Sequence, residues 1–295
     1  MSLNNNYIYP ILVSAESIII NLNKMKTFIT FHFLCSPDTK KEQLNQLKSL
    51  MYQSYNIEII FYNMGKNFKK YKNHHYTSSA YYRLLIPIFI DVSRIIYLDG
   101  DTLTLKDLSE MYLTNFDGNY VLGFLDYSKI SGIKGKEIRS SKYINSGVLL
   151  LNLNKIRNNN KIYDLINFTI NNTFLNKHDQ TVINYALFPK IGRLPIKYGI
   201  WNFPNKLYII KYSKKLKQRI NITALEESMK DIGILHLVRS YPKIWYSKYK
   251  YTYLKVKGKR IKNLFKKFHN LWHFYAKKTF YYNKIKTNFN SKKYY

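Results

Sequence analysis

A single cysteine, Cys35, leaves this 295-residue chain no disulfide partner of its own, so a disulfide framework is excluded and a reducing compartment is the natural home. Long apolar runs are missing as well. The longest stretches, Leu84 to Ile90 and Gly147 to Leu151, fall far short of the roughly 18 residues a helix needs to cross a bilayer. The amino end carries no positive charge before Ile11 to Leu22, and Glu16 interrupts that run, which argues against a secretory signal and for a cytoplasmic protein. Acidic residues are scarce, 17 against 48 Lys and Arg, for a net charge of +31. No internal repeat is visible, and no Gly-rich phosphate-binding signature of the nucleotidyltransferase kind. What is present is apolar and aromatic. At 46% apolar and 17% aromatic residues, the chain has enough surface to bury against its ordering entropy, and it is long enough for an extensive core without metals or disulfides.

A charge of +31 invites a nucleic-acid reading, because any polyanion gains from counterion release, and Tyr and Phe interleaved with Lys could stack on bases. Two observations weaken it. The chain is crowded with Asn, Ile and Tyr, residues of A/T-rich codons, and a biased genome would raise Lys along with them without selection for any ligand. The charge is also unevenly placed: Ser247 to Tyr295 holds fifteen Lys or Arg and no Asp or Glu. Six of the seventeen carboxylates, by contrast, fall between Asp91 and Asp117, where an even spread would place fewer than two.

The apolar pattern predicts alternating elements. Leu12, Ala15, Ile19 and Leu22 share one helical face; Thr27 to Cys35 and Ile57 to Tyr62 read as strands, with a helix through Leu44, Leu47 and Leu50 between them. A helix over Ser78 to Leu85 follows a Lys/Asn-rich loop, then short strands at Arg94 to Leu98, Tyr120 to Leu125, Gly147 to Leu153 and Ile234 to Leu237, with helices near Ile162 to Phe174 and Asp179 to Leu187. This alternation predicts an α/β domain with a mostly parallel sheet and ligands at the carboxyl ends of its strands.

The sharpest local feature is Ile95-Ile96-Tyr97-Leu98-Asp99-Gly100-Asp101, an apolar strand that delivers two carboxylates at its carboxyl end. If Gly100 lets the backbone turn, both reach one hard divalent cation, Mg²⁺ or Mn²⁺, with an added imidazole favouring Mn²⁺. The competing reading is an ordinary Asp-Gly turn with an Asp capping the next element.

Four motifs stand in sequence: Ser79-Ala80-Tyr81-Tyr82-Arg83-Leu84-Leu85-Ile86-Pro87; Ile96 through Leu103 with its Asp99-Gly100-Asp101; Tyr143-Ile144-Asn145-Ser146-Gly147 running on to Leu153; and His178-Asp179-Gln180. In this order they closely resemble the family 8 glycosyltransferases, especially bacterial lipopolysaccharide glucosyl- and galactosyltransferases, over about Asn6 to Trp245. The resemblance implies a GT-A fold, a single Rossmann-like domain with a mostly parallel mixed sheet. It also implies a UDP-sugar donor, a glycan or lipid-linked acceptor, transfer with retention, and Mn²⁺, or Mg²⁺ in its place, held by Asp99, Asp101 and His236.

On the same resemblance, Arg83, Asn145, Asp99 and Lys243 are expected on the donor, with Tyr7 on the nucleotide edge, and Asp126, Asp179 and Gln180 at the reacting sugar. Three departures stand out. The family's H-x-x-G-x-x-K-P-W pattern is here His236-Leu237-Val238-Arg239-Ser240-Tyr241-Pro242-Lys243-Ile244-Trp245. The final Asp of D-Q-D is Thr181. The usual opening strand, with its acidic end at the nucleotide, is mostly absent, Asn6 and Tyr7 being its remnant. That last departure keeps an inactive truncated homologue as an alternative reading, beside the basic nucleic-acid-binding protein that the motif order argues against.

The division expected is a catalytic domain over 1–246 and a basic amphipathic tail over 247–295. In the tail Ile261, Leu264, Phe265, Phe268, Leu271, Trp272 and Tyr275 recur three or four apart, with Lys262, Lys266, Lys267, Lys277 and Lys278 flanking or opposing them. Such a helix is expected either on an anionic cytoplasmic membrane surface or packed on the catalytic domain.

Overall fold

A computed structural model describes residues 1–5, 7–23, 27–65, 78–126, 143–171, 178–201, 222–238, 245 and 259–291. Strand β1 is short, Ser2–Leu3. Helix α1, Ile8–Asn21, is buried nearly all round, since Ile8, Ile11, Leu12, Val13, Ala15, Ile18 and Ile19 are all in the core. It therefore lies between layers and is not a surface helix with one apolar stripe. β2 (Ile29–Cys35) and β3 (Ile57–Asn63) follow, with Phe31, Phe33 and Ile57 in the core shared with α1 and Leu34 buried on the other face of β2. Between them lies α2, Lys41–Lys48. The order β1-β2-β3 is parallel throughout, Ser2 aligning with Leu34 and Ile29 with Ile57.

The expected helix at Ser78–Leu85 is a 3-10 helix, continued by α3, Ile86–Phe89, with Pro87 in the first turn where its missing N–H costs nothing. β4 (Arg94–Leu98), β5 (Thr102–Thr104), α4 (Ser109–Tyr112), β6 (Val121–Leu125) and β7 (Ile144–Asn152) follow. Then come α5 (Leu153–Asn158), α6 (Lys161–Asn171) and α7 (His178–Ala186), β8 (Ile191–Arg193), β9 (Ile200–Trp201), α8 (Ile222–Lys230) and β10 (Ile234–His236). The central sheet runs β4-β7-β6-β8 and is mixed: β7 is antiparallel to both neighbours, while β6 and β8 are parallel. A third sheet, β5-β10-β9, pairs β10 antiparallel to β5 and parallel to β9. The fold is thus the expected mixed α/β domain, with antiparallel pairs wherever β5 and β7 meet their neighbours.

The tail is helical: α9, Lys259–Lys278, and α10, Tyr282–Ser291. Its apolar residues Phe268, Trp272, Tyr275, Ala276, Ile285 and Phe289 are buried with Val13, Leu103, Ile200, Leu235, Leu237 and Trp245 in one core cluster. Asn21 donates to the Tyr275 hydroxyl at 2.9 Å, so α9 is also bonded to α1. The face expected as a lipid contact is therefore covered by the domain itself wherever its side chains are described.

Candidate active site

The site forms where β4 ends against β7. The last ladder pair, Leu98 with Val148, is extended by Asp99 N–H donating to the Gly147 carbonyl at 2.8 Å. The chain then turns, Thr102 N–H returning to the Asp99 carbonyl at 3.2 Å, and enters β5. Gly100 does not adopt the positive φ that glycine alone tolerates. It is needed instead for close approach: a Cβ there would meet Ile11 Cγ1 at 2.5 Å and Tyr7 Cδ1 at 3.2 Å. The turn is braced from α1, since Ser14 Oγ lies 3.0 Å from Thr102 Oγ1 and Ser17 Oγ accepts from Thr104 N–H at 2.9 Å. Serines inside an apolar helix thereby satisfy a strand that lacks a full ladder.

His236 arrives from 135 residues away by backbone register. In the β5–β10 ladder it aligns with Thr102, and Leu237 N–H donates to the Asp101 carbonyl at 2.8 Å. Its Nε2 lies 3.1 Å from Asp101 Oδ1 and 3.9 Å from Asp99 Oδ2. One ligand atom from each of Asp99, Asp101 and His236 falls within 4.8 Å of the others, a spacing that two carboxylates and an imidazole need to share one ion. The fit has two further marks. The buried Nδ1 of His236 is without a hydrogen-bond partner, so the ring is held by its strand and by Nε2 against Asp101. Gly147 faces the trio, and a Cβ there would stand 2.2 Å from His236 Cε1 and 2.6 Å from Asp99 Oδ2. The residues present fit a divalent cation.

Beneath the trio Arg83 is buried among four anchors. Its Nη2 meets Asp99 Oδ1 at 2.9 Å, Nη1 donates to the Ser146 carbonyl at 2.6 Å, and Nε donates to the Ala80 carbonyl at 3.0 Å. Asp179 Oδ2 lies 3.2 Å from the same Nε. Because the Nε–H points at Ala80, the Asp179 contact is an ion pair and not a hydrogen bond. Burial alone would lower the Arg83 pKa, but Asp179 and Asp99 outweigh it and keep the guanidinium charged. Burial pushes the Asp179 carboxyl above its ordinary range, against the pull of Arg83. Arg83, expected on the donor, ties the β4 and β7 ends to the start of α7.

A second network adjoins it. Gln180 donates from Nε2 to Asp126 Oδ2 at 2.7 Å, and its Oε1 accepts from Asn145 Nδ2 at 3.0 Å and from Ser146 N–H at 3.4 Å. Asn145 Oδ1 in turn accepts from Gly147 N–H at 2.9 Å. The structure thus brings Asp126, Asn145 and Gln180 together, from β6, β7 and α7. Thr181, in place of the family's third acid, bonds the Tyr143 hydroxyl at 3.0 Å. Tyr7 caps the start of α1 and packs edge-on against Trp245, ring centroids 5.9 Å apart. Asn6 and Lys243 lie outside the described residues.

Residues that motif reading passed over also belong here: Tyr97, whose hydroxyl is 2.9 Å from Asp99 Oδ1, and Ser146 and Gly147, which act through the backbone. Strand alternation held the clue for Tyr97, two residues before Asp99 and so on the same side.

With this geometry, comparison with known proteins is decisive. The model of Glycosyl transferase family 8 matches residues 1–289. The chain belongs to this family. General stress protein A of Bacillus subtilis is 27% identical over 227 residues, covering 74% of this chain and 75% of that protein. A Haemophilus influenzae protein whose own assignment as a glycosyltransferase is provisional is 27% identical over 302 residues, covering 89% and 86%. Among solved structures, the bifunctional glycosyltransferase WbbM superposes with a TM-score of 0.71 at 17% identity, covering 97% of this chain. This chain spans only 50% of WbbM. The galactosyltransferase LgtC, solved with donor and acceptor sugar analogues, superposes with a TM-score of 0.64 at 19% identity, covering 90% and 94%. LgtC has also been solved as an active-site mutant with glutamine changed to glutamate. These structures share the GT-A fold with this chain.

Proposed function

We propose that this family 8 glycosyltransferase moves a hexose, glucose or galactose, from a UDP-sugar to a glycan or lipid-linked acceptor with retention of configuration. The observation that carries the reading is the convergence of Asp99, Asp101 and His236 at the carboxyl end of β4. Asp99, Asp101 and His236 would hold Mn²⁺, or Mg²⁺ in its place, which would supply positive charge against the leaving diphosphate. Arg83 and Tyr97 keep Asp99 oriented, and β10 keeps His236 in register. Asp126, Asn145 and Gln180 form the polar wall against which a sugar would be read.

LgtC has a glutamine in its active site, and Gln180 is the corresponding candidate here. The amide oxygen of Gln180 already accepts two hydrogen bonds, and it would have to surrender them to act as a nucleophile. This supports attack by the acceptor on the same face. The acceptor oxygen forms its bond to the anomeric carbon as the bond to the diphosphate breaks. Its proton passes to the departing phosphate oxygen.

The test is a screen of UDP-, GDP- and CDP-sugars for Mn²⁺-dependent turnover. A UDP-hexose should be consumed, and EDTA, Asp99→Ala or Asp101→Ala should each abolish turnover while circular dichroism stays unchanged. Loss of one hard ligand removes several kcal/mol of charge stabilisation. Full turnover by either variant in EDTA would sink the assignment.

A second part of the proposal concerns location. No helix of the described residues is long and apolar enough to cross a membrane. Phe274 on α9 and Phe280, two residues beyond its end, are however 49% and 67% exposed, with the exposed Lys277 and Lys278 between them in sequence. Aromatics among lysines suit the cytoplasmic face of an anionic membrane, where a lipid-linked acceptor would lie.

A further inference from the structure

We propose that Tyr97 sets the mode in which Asp99 binds the ion, one oxygen only, and thereby the preference for a small octahedral cation over Ca²⁺; this rests on the metal-site reading above. The Tyr97 side chain is buried, and its hydroxyl lies 2.9 Å from Asp99 Oδ1 and 3.2 Å from Ser2 Oγ. A carboxylate can only accept, so the Tyr97 hydroxyl donates, and its one proton is offered to Asp99 Oδ1 at the shorter distance and to Ser2 Oγ as a second, neutral acceptor. The same Oδ1 receives Arg83 Nη2 at 2.9 Å, and the Arg83 guanidinium sits 4.5 Å over the Tyr97 ring. Two donors, one charged, occupy the lone-pair directions of Oδ1.

Oδ2 is the oxygen that faces the other ligands. It lies 3.9 Å from His236 Nε2 and borders the space that the missing Cβ of Gly147 leaves open. Asp99 is therefore presented as a monodentate ligand. Ca²⁺ readily takes carboxylates through both oxygens and seeks six to eight ligands, whereas Mg²⁺ demands a tight octahedron. Pinning Oδ1 withholds the second oxygen from Ca²⁺ and costs the smaller ions nothing. Tyr97 is thus a positioning residue that acts through Asp99, with Ser2 beside it as a second acceptor for the same hydroxyl.

The experiment measures binding of Mn²⁺ alone, by electron paramagnetic resonance, and its displacement by Ca²⁺, in wild type, Tyr97→Phe and Ser2→Ala. Tyr97→Phe keeps the ring under Arg83 and removes only the hydroxyl. Mn²⁺ affinity should fall about tenfold, as for loss of other outer partners of metal ligands, and Ca²⁺ should compete better in the variant than in wild type. Ser2→Ala removes the competing acceptor and leaves the phenol proton to Asp99, so it should shift both in the opposite direction by less, and it carries the test if Tyr97→Phe fails to fold. Mn²⁺ affinity and Ca²⁺ competition unchanged in both variants would overturn the role of Tyr97 and leave the ion site standing. Wild type that binds no Mn²⁺ would overturn the site and this inference with it.

Discussion

Gly147 shows how one missing side chain can serve a whole site. Its carbonyl accepts from Asp99 N–H, its N–H is taken by Asn145, and its bare Cα faces the imidazole of His236. Gly147→Ala would drive a methyl to within 2.2 Å of His236 Cε1, closer than any relaxed contact. The neighbour that must yield is a buried imidazole on a paired strand, not the end of a flexible chain. The variant should fold with a loss of about 1–3 kcal/mol in stability and lose Mn²⁺ binding and transfer together. Urea unfolding beside Mn²⁺ titration checks this, and undiminished Mn²⁺ binding would show that the cradle is not the ion's. Arg83 makes a related point: the family resemblance marks it for the donor, and the structure adds Asp99, Asp179 and two carbonyls around it, so the same side chain also braces the frame of the site.

Among the elements, α9 departs most from its solitary reading. Its periodicity announces an amphipathic helix, and the structure covers the apolar face with α1 and with Trp245, whose ring lies tilted against Trp272, centroids 5.9 Å apart. His269 and His273 lie one turn apart on this helix with ring centroids 4.3 Å apart. Burial first, then the nearby His269 and Lys277, lower the His273 pKa from 6.5 to about 4. The unfolded chain therefore binds a proton more tightly than the folded one. The contribution to stability is complete above pH 6.5 and is lost as pH falls towards 4. Thermal melts should show wild type losing stability over this window by about 1–2 kcal/mol more than His273→Leu, after allowance for solvent screening. Parallel pH profiles for the two proteins would remove the histidine from the account.

For the whole molecule the charge of +31 is the dominant quantity, and its carboxylates are spent in few places. Much of the acidic cluster between Asp91 and Asp117 is explained by the structure: Asp99 and Asp101 face His236, Asp107 accepts from Ser109 and Asn23 N–H, and Glu110 pairs with Lys197. The surplus of lysine over the remaining surface favours any anionic partner. The protein should sediment with vesicles that contain anionic lipid, release in high salt, and ignore neutral vesicles. Roughly 1 kcal/mol per engaged lysine applies at low ionic strength. The combination Phe274→Ser, Phe280→Ser, Lys277→Glu and Lys278→Glu changes only exposed side chains, so it should weaken vesicle binding several-fold and leave turnover of a soluble acceptor intact. Binding that this variant retains in full would remove the outer side of α9 as the membrane contact.

By itself the sequence determined the elements whose pattern is local. The β-branched and aromatic run of β2, the apolar strand that ends in Asp99-Gly100-Asp101, and the helical spacing of α9 were all readable, because side-chain direction repeats with the backbone period. The order of four motifs likewise sufficed for the family. Tertiary structure decided what covers each face and what meets across long separations. The antiparallel course of β7 depends on which strands lie beside it, and periodicity is the same for either direction. His236 reaches Asp101 only through the β5–β10 register, and the burial of Arg83 follows from three segments closing over it. The tail helix shows the limit most plainly: its sequence specifies an apolar stripe, while the burial of Val13 and Leu235 beneath Trp272 and Phe268 settles that the domain, and not lipid, lies against it. A stripe states only that apolar surface must leave water, and which surface receives it depends on the rest of the folded chain.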